Sequence, residues 1–281
     1  MPQVANAISL PFGHGDLKLL ERRRFGKSLA TYEQAIVLPN SLKSALVPWH
    51  AGIPVRTGYR GEMRFGLLND VRRLDKEALP LIVERFAALA QPNGEALRRP
   101  LPEPRLVVDE RARTAAIAKF RLDPSRPVAA FAPGAEYGPA KRWPPKHFVE
   151  LGRALIDRGY AIWLFGSAKD REIAAEIAAQ LPNAVNLAGA TTLDEAIDLL
   201  SVAARVITND SGLMHIAAAL ERPMAAIFGS SSPAFTPPLS ARARVIAIQI
   251  ACSPCFERTC PLGHTNCLVQ LEPSRVLAVI G

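Results

Sequence analysis

Beyond residue 127 the apolar positions fall in a repeating order: a short unbroken run, a glycine, then a stretch with apolar residues every third or fourth place. Val128–Ala132 is the first run and stops at Pro133-Gly134. Residues 146–158 then carry Phe148, Val149, Leu151, Leu155 and Ile156 at helical spacing and end at Gly159. Residues 161–165 form a second buried-strand run, closed by Gly166, with a helix expected over 170–180. Thr192, followed three places later by Glu195, has the capping-box pattern and opens a helix to about Ala203. A strand over 205–208, a helix over 211–220 and a strand over 224–228 complete the series. Strands that are apolar throughout, alternating with amphipathic helices, imply a parallel sheet covered on both faces. The class is α/β, and residues 106–281 read as a Rossmann-like domain.

The first hundred residues give a weaker version of the same rhythm. A strand is expected over 34–38, a helix over 41–51 and a stronger helix over 76–90. The chain opens at residues 4–10 on what reads as the middle of a domain, with no glycine-rich strand-turn-helix ahead of it. Residues 91–105 hold four prolines and Gly94 and read as a linker or exposed loop. The expected division is therefore 1–105 and 106–281.

Composition adds direction. The net charge of +8 is uneven: residues 1–120 hold 19 Lys/Arg against 12 Asp/Glu, and the remainder 15 against 14. The basic half suits phosphorylated sugars, an acidic membrane surface or nucleic acid, but no nucleic-acid motif accompanies it, so a nucleic-acid partner is not expected. No apolar run approaches the roughly 20 residues that span a bilayer, and the N-terminus lacks a secretory-signal pattern. A cytoplasmic location is expected.

Four constellations could carry chemistry. In the first, the strand ending at Thr208 leads through Asn209, Asp210, Ser211 and Gly212 into a helix bearing His215 one turn along. Asp210 and Ser211 are good N-cap residues, Gly212 admits a ligand to the backbone, and the helix start attracts anions. An ordinary capped helix with a satisfied histidine is the competing reading. In the second, Gly134 follows the domain's first strand and leads to Lys141, Arg142 and Trp143; a glycine turn, two cations and an indole suit a nucleotide diphosphate. A proline-rich surface loop with a half-buried tryptophan competes. In the third, Arg56, Arg60 and Arg64 recur every fourth residue with Gly58 and Gly61 between, which favours a basic loop over a helix; Lys43 is a weaker member of the same kind. A solvated basic surface competes here. In the fourth, Cys252, Cys255, Cys260 and Cys267 fall within sixteen positions, a cluster suited to a structural metal, free thiols or a local disulfide.

With these residues in place the sequence resembles a known family. The segments PGAEYGPAKRWP (133–144), LFGSAKD (164–170), TNDSGLMH (208–215) and SSSPAFTPP (230–238) resemble the ADP-heptose:lipopolysaccharide heptosyltransferases, glycosyltransferase family 9. So do VLPNSLKSA (37–45) and GYRGEMRFGLLND (58–70). The nearest type adds a heptose to a heptose already on the inner core. The resemblance implies a GT-B enzyme of two Rossmann-like domains, the N-terminal one lacking its first βαβ unit and facing the acceptor, the C-terminal one holding the ADP-sugar. It implies that Gly134, Lys141, Asp210, Ser211, Gly212 and His215 contact the ADP-heptose donor. It also implies that Lys43, Arg56, Arg60 and Arg64 face an acidic lipid A–Kdo–heptose acceptor at the inner face of the inner membrane. No cofactor is implied. The family's general-base aspartate is expected upstream of Met1, and Asp16, in the Gly13-His14-Gly15-Asp16 run, matches a later stretch and does not inherit that role. The alternatives are another family 9 transfer, or a nucleotide-sugar-binding fragment without transfer activity.

Overall fold

A computed structural model describes residues 4–13, 15–29 and 32–280. The chain divides into two compact units. One comprises residues up to Pro102 together with Ala234–Thr236, and the other Glu103–Pro233 and the remainder.

The N-terminal unit contains α1 (Leu19–Ser28), β1 (Gln34–Ile36), α2 (Leu42–His50), β2 (Val55–Tyr59), β3 (Asp70–Arg72) and α3 (Ile82–Leu89). Its three strands lie parallel in the order β1-β2-β3. Val37, Ala45 and Leu68 form its buried cluster. Helix α2 starts where Glu62 returns to accept from the Leu42 N–H at 2.7 Å. The helix expected over 76–90 is shorter. Pro80 supplies no N–H and pushes Leu79 out of helical geometry, so Asp75 first holds a turn through Glu77 and Ala78, and the helix begins at Ile82. Helix α1 escaped the periodicity because it has no apolar face to show. Arg22 anchors it instead, buried and donating to the carbonyls of Asp16, Leu17 and Lys43.

The C-terminal unit begins with α4 (Glu110–Lys119), capped by Asp109, which accepts from the Arg111 and Ala112 N–H groups. There follow β4 (Val128–Ala132), α5 (Pro145–Asp157), β5 (Ala161–Leu164), α6 (Arg171–Ala178), β6 (Val185–Asn186), α7 (Leu193–Leu200), β7 (Arg205–Asn209), α8 (Gly212–Ala219), β8 (Met224–Ile227), β9 (Ala243–Ile246), α9 (Asn266–Val269) and α10 (Pro273–Ile280). All six strands are parallel, in the order β6-β5-β4-β7-β8-β9. Counted within the unit this is 3-2-1-4-5-6, the doubly wound order whose crevice opens between strands one and four. The expected parallel sheet is present, and separate apolar clusters cover its two faces, one around Phe131, Phe148 and Leu155, the other around Trp163, Leu199 and Met214. The capping box at Thr192 is formed: its hydroxyl accepts from the Glu195 N–H, and Glu195 accepts from the Thr192 N–H. Among the described residues no helix is long and apolar enough to cross a membrane.

Candidate active site

Strands β4 and β7 are neighbours, with Ala132 in register with Thr208, so the loops leaving their carboxyl ends stand side by side at the switch point of the sheet. One buried carboxamide joins them. Asn209, fully buried, donates to the Pro133 carbonyl at 2.7 Å and accepts from the Trp143 N–H at 3.1 Å. The loop of residues 133–143 is thus fastened at both ends to the residue preceding Asp210. Sequence reading passed over Asn209, because nothing local marks a carboxamide as bridging segments 66 and 76 positions away.

Lys141 ends a 3-10 turn, Pro139–Lys141, and its ammonium donates to Asp210 Oδ2 at 2.5 Å. Ser231 donates to the same oxygen at 2.5 Å. Both Lys141 and Asp210 are largely buried. A charge pair screened from water keeps much of its strength, and Asp210 Oδ1 is left as a free acceptor in the described contacts. The expected helix cap takes a different form. Ser211 occupies the N-cap of α8 without a side-chain cap bond; its hydroxyl lies 3.3 Å from that of Thr208, while Asp210 is engaged by Lys141 and Ser231. Among the described contacts the first-turn N–H groups of Gly212 and Leu213 have no acceptor in the chain, at the positive end of the helix. His215 is exposed, yet burial by the surrounding protein lowers its pKa, Asp210 opposing and Lys141 reinforcing, which favours neutral imidazole.

Beside this cluster lies a cavity of about 370 Å³, bounded by Gly134, Gly166, Thr192, Leu193, Ser211 and Gly212, within the range of small-ligand sites. Asp170 shapes its floor. Its carboxylate accepts from the Ser167 N–H and hydroxyl at 2.9 and 2.8 Å and sits where a Cβ on Gly134 would lie 2.2 Å from its Cγ. Gly134 is needed for that close approach rather than for an unusual backbone angle.

Three expectations change. Trp143 is fully buried, its indole N–H donating to the Leu271 carbonyl at 2.8 Å and its ring stacking edgewise on Phe148, so it is core and not a ligand platform. The basic run is a loop only in part: Arg56 lies on β2 and donates to the carbonyls of Ile53 and Leu67, while Arg60 and Arg64 follow in the loop between β2 and β3. Arg64 is 2% exposed and spends its guanidinium on the carbonyls of Pro39 and Tyr59 and on Asn40; Arg60 is exposed and Lys43 half-buried. Finally, among the described residues no group of three or more His, Cys, Asp or Glu side chains is arranged to hold a metal ion. Of the readings left open for Cys252, Cys255, Cys260 and Cys267, the disulfide is not formed. His14 of the Gly13–Asp16 run lies outside the described residues.

A doubly wound sheet with a cation, a helix start and a cavity of small-ligand size at its switch point defines a site suited to a nucleotide or another phosphorylated ligand. Comparison with known proteins narrows the class. Residues 22–266 match the pattern of glycosyltransferase family 9 (heptosyltransferase), and the chain belongs to that family. It is 52% identical to lipopolysaccharide heptosyltransferase 2 of Escherichia coli strain K12, over 99% of this chain and 83% of that protein. It is 47% identical to lipooligosaccharide heptosyltransferase 2 of Haemophilus influenzae, over 88% of this chain and 75% of the other. The solved structure of E. coli ADP-heptose LPS heptosyltransferase II superposes with a TM-score of 0.85 at 50% identity, covering 94% of this chain and 80% of that one. The fold is accordingly that of the GT-B heptosyltransferases.

Proposed function

We propose that this enzyme transfers L-glycero-D-manno-heptose from ADP-heptose to the heptose already on the lipopolysaccharide inner core, the reaction of the type II heptosyltransferases. The observation that carries the reading is the Lys141–Asp210–Ser231 cluster at the strand switch point, beside the first-turn N–H groups of α8. Breaking the bond between the anomeric carbon and the diphosphate leaves negative charge on the departing ADP. Lys141 and the N–H groups of Gly212 and Leu213 meet that charge as it develops. The Ser211 hydroxyl and the free oxygen of Asp210 are placed for the phosphate edge and for a sugar hydroxyl, neutral His215 offers a further hydrogen bond, and the cavity bounded by Gly134 takes the nucleoside. The acceptor hydroxyl attacks the opposite face of the anomeric carbon, giving inversion. No general base is assigned to a residue of this chain.

The acceptor side is assigned to the N-terminal unit, whose surplus of positive charge suits Kdo carboxylates and phosphates. Of its four candidates, Lys43 and Arg60 are the contacts we assign, and Arg56 and Arg64 hold the scaffold on which Arg60 stands. The enzyme would work as a peripheral protein at the inner face of the inner membrane.

Calorimetry with ADP-heptose against UDP- and GDP-sugars tests the donor, and Lys141→Ala tests the site. Loss of one charge-assisted contact to phosphate weakens binding by about 10- to 100-fold. Unchanged ADP-heptose affinity in that variant would remove the assignment. Transfer to an inner core lacking heptose, in place of one that carries it, would move the acceptor to another family 9 reaction.

A further inference from the structure

The four cysteines take no part in the donor site, yet their loop grips it. Cys252, Cys255, Cys260 and Cys267 are half-buried free thiols. With His264 they line one cavity of about 20 Å³, whose wall also includes Ala140 and Ser230. That space holds about one water and no organic ligand, so an external disulfide can meet a thiol only at the loop's surface, and only the closing step takes place within the cavity. The same loop is tied to the turns that carry Lys141 and Ser231. The Arg258 carbonyl accepts from the Ala140 N–H at 3.1 Å, and a Cβ on Gly138 would lie 2.3 Å from that oxygen. Tyr137 donates to the Phe256 carbonyl at 2.6 Å, with the Arg258 guanidinium 5.0 Å from its ring centre. On the other side Phe256 N–H donates to the Ser230 carbonyl at 2.6 Å and the Ser253 hydroxyl to that of Gly229 at 2.7 Å. Ala140 adjoins Lys141, and Ser230 adjoins Ser231.

The thiols are unequal. The backbone of Thr265 foremost, burial opposing and Leu262, His264 and Gly263 reinforcing, holds the Cys260 thiol below its ordinary range. Burial, then the neighbouring sulfurs of Cys252, Cys255 and Cys260, pushes Cys267 up. One sulfur favoured as thiolate in the same cavity as the raised Cys267 thiol is suited to exchange with disulfides.

We propose that the cysteine loop is a thiol–disulfide exchange site for low-molecular-weight disulfides, and that its oxidation loosens the turns carrying Lys141 and Ser231. The Cys260 thiolate attacks a small disulfide RSSR, forming Cys260–S–S–R and releasing RS⁻, which takes up the proton Cys260 had given. A second thiol of the same cavity then displaces RSH and closes a disulfide within the loop. The chain loses two hydrogens and RSSR is reduced to two RSH. The consequence for the donor rests on the donor-site reading above.

The test is to incubate the full chain with excess oxidised glutathione, count thiols, record the intact mass, and titrate ADP calorimetrically into reduced and oxidised samples. The expected result is loss of two thiols and two hydrogens, reversed by dithiothreitol, with ADP affinity falling about fivefold, the lower end of ordinary coupling between sites. Cys260→Ser should slow the loss strongly, and Cys255→Ser, which leaves Cys260 in place, should still form the mixed disulfide. Four thiols that persist, a reaction that stops at the mixed disulfide in the unsubstituted chain, or thiols shielded by a metal released stoichiometrically on denaturation would overturn the proposal. Equal ADP affinity in both states would refute the coupling. A reduced chain that fails to bind ADP would refute the donor site and leave the thiol result standing.

Discussion

At the scale of single residues, the proposed donor site depends on side chains that reach far along the sequence. Asn209 is the clearest case, because its carboxamide satisfies two buried backbone groups at once. Asn209→Leu fills the same space and strands both partners, so it should cost about 2–4 kcal/mol, read as a lower urea midpoint, and should weaken ADP binding by releasing the loop that bears Lys141. Asn209→Asp keeps the acceptor and loses the donor, so it should fall between. A Leu variant as stable as the parent would show that the bridge contributes nothing. These long-range roles explain where sequence reading stopped. Lys141, Asp210 and Gly212 could be picked out because glycine, cation and cap patterns are local. The burial of Trp143 and Arg64, and the bridge at Asn209, depend on partners at Leu271, Pro39 and Pro133, which no local periodicity specifies.

At the scale of elements, the β-strands of the C-terminal unit were legible because they are buried on both faces and apolar throughout. Strands β6 and β9 were not: β6 is two half-buried residues, and β9 exposes Arg244 and Val245 at the sheet edge. Two predictions belong here. Gly134→Ala drives a methyl into Asp170 at the mouth of β4 and should destabilise the unit by roughly 1–3 kcal/mol, lowering Tm by about 3–10 °C and weakening ADP binding; an unaltered Tm would mean that Asp170 moves freely. On α5, burial foremost, with Lys146 adding to it, lowers the pKa of His147 below its ordinary 6.5. Its ring packs on Trp143 at 5.2 Å. A histidine with a depressed folded pKa favours folding fully above the unfolded value. As pH falls through about 6.5 toward the folded value, the unfolded chain takes up a proton that the folded chain resists. Stability should therefore drop on acidification, and His147→Gln should flatten that part of the urea-midpoint profile against pH.

At the scale of the whole molecule, the two units have unequal cores. Large clusters cover both faces of the C-terminal sheet, whereas the buried cluster of the N-terminal unit is small. Tryptophans report each separately: Trp49 lies in the N-terminal unit, Trp143 and Trp163 in the other. In urea, a chain keeping only Trp49 should lose its folded signal about 1 M or more below one keeping only Trp163. A single coincident transition would contradict independent cores.

The ion pair between Lys141 and Asp210 has a consequence for turnover. The carboxylate holds the ammonium that, on the donor reading proposed above, a diphosphate would claim, so an arriving donor would compete for it and after transfer the same carboxylate would take it back. On that reading Asp210 would act as an internal rival to the product, keeping ADP from lingering. Asp210→Asn should hold ADP more tightly while slowing the cycle, and stopped-flow displacement of a fluorescent ADP analogue would register that as a slower off-rate.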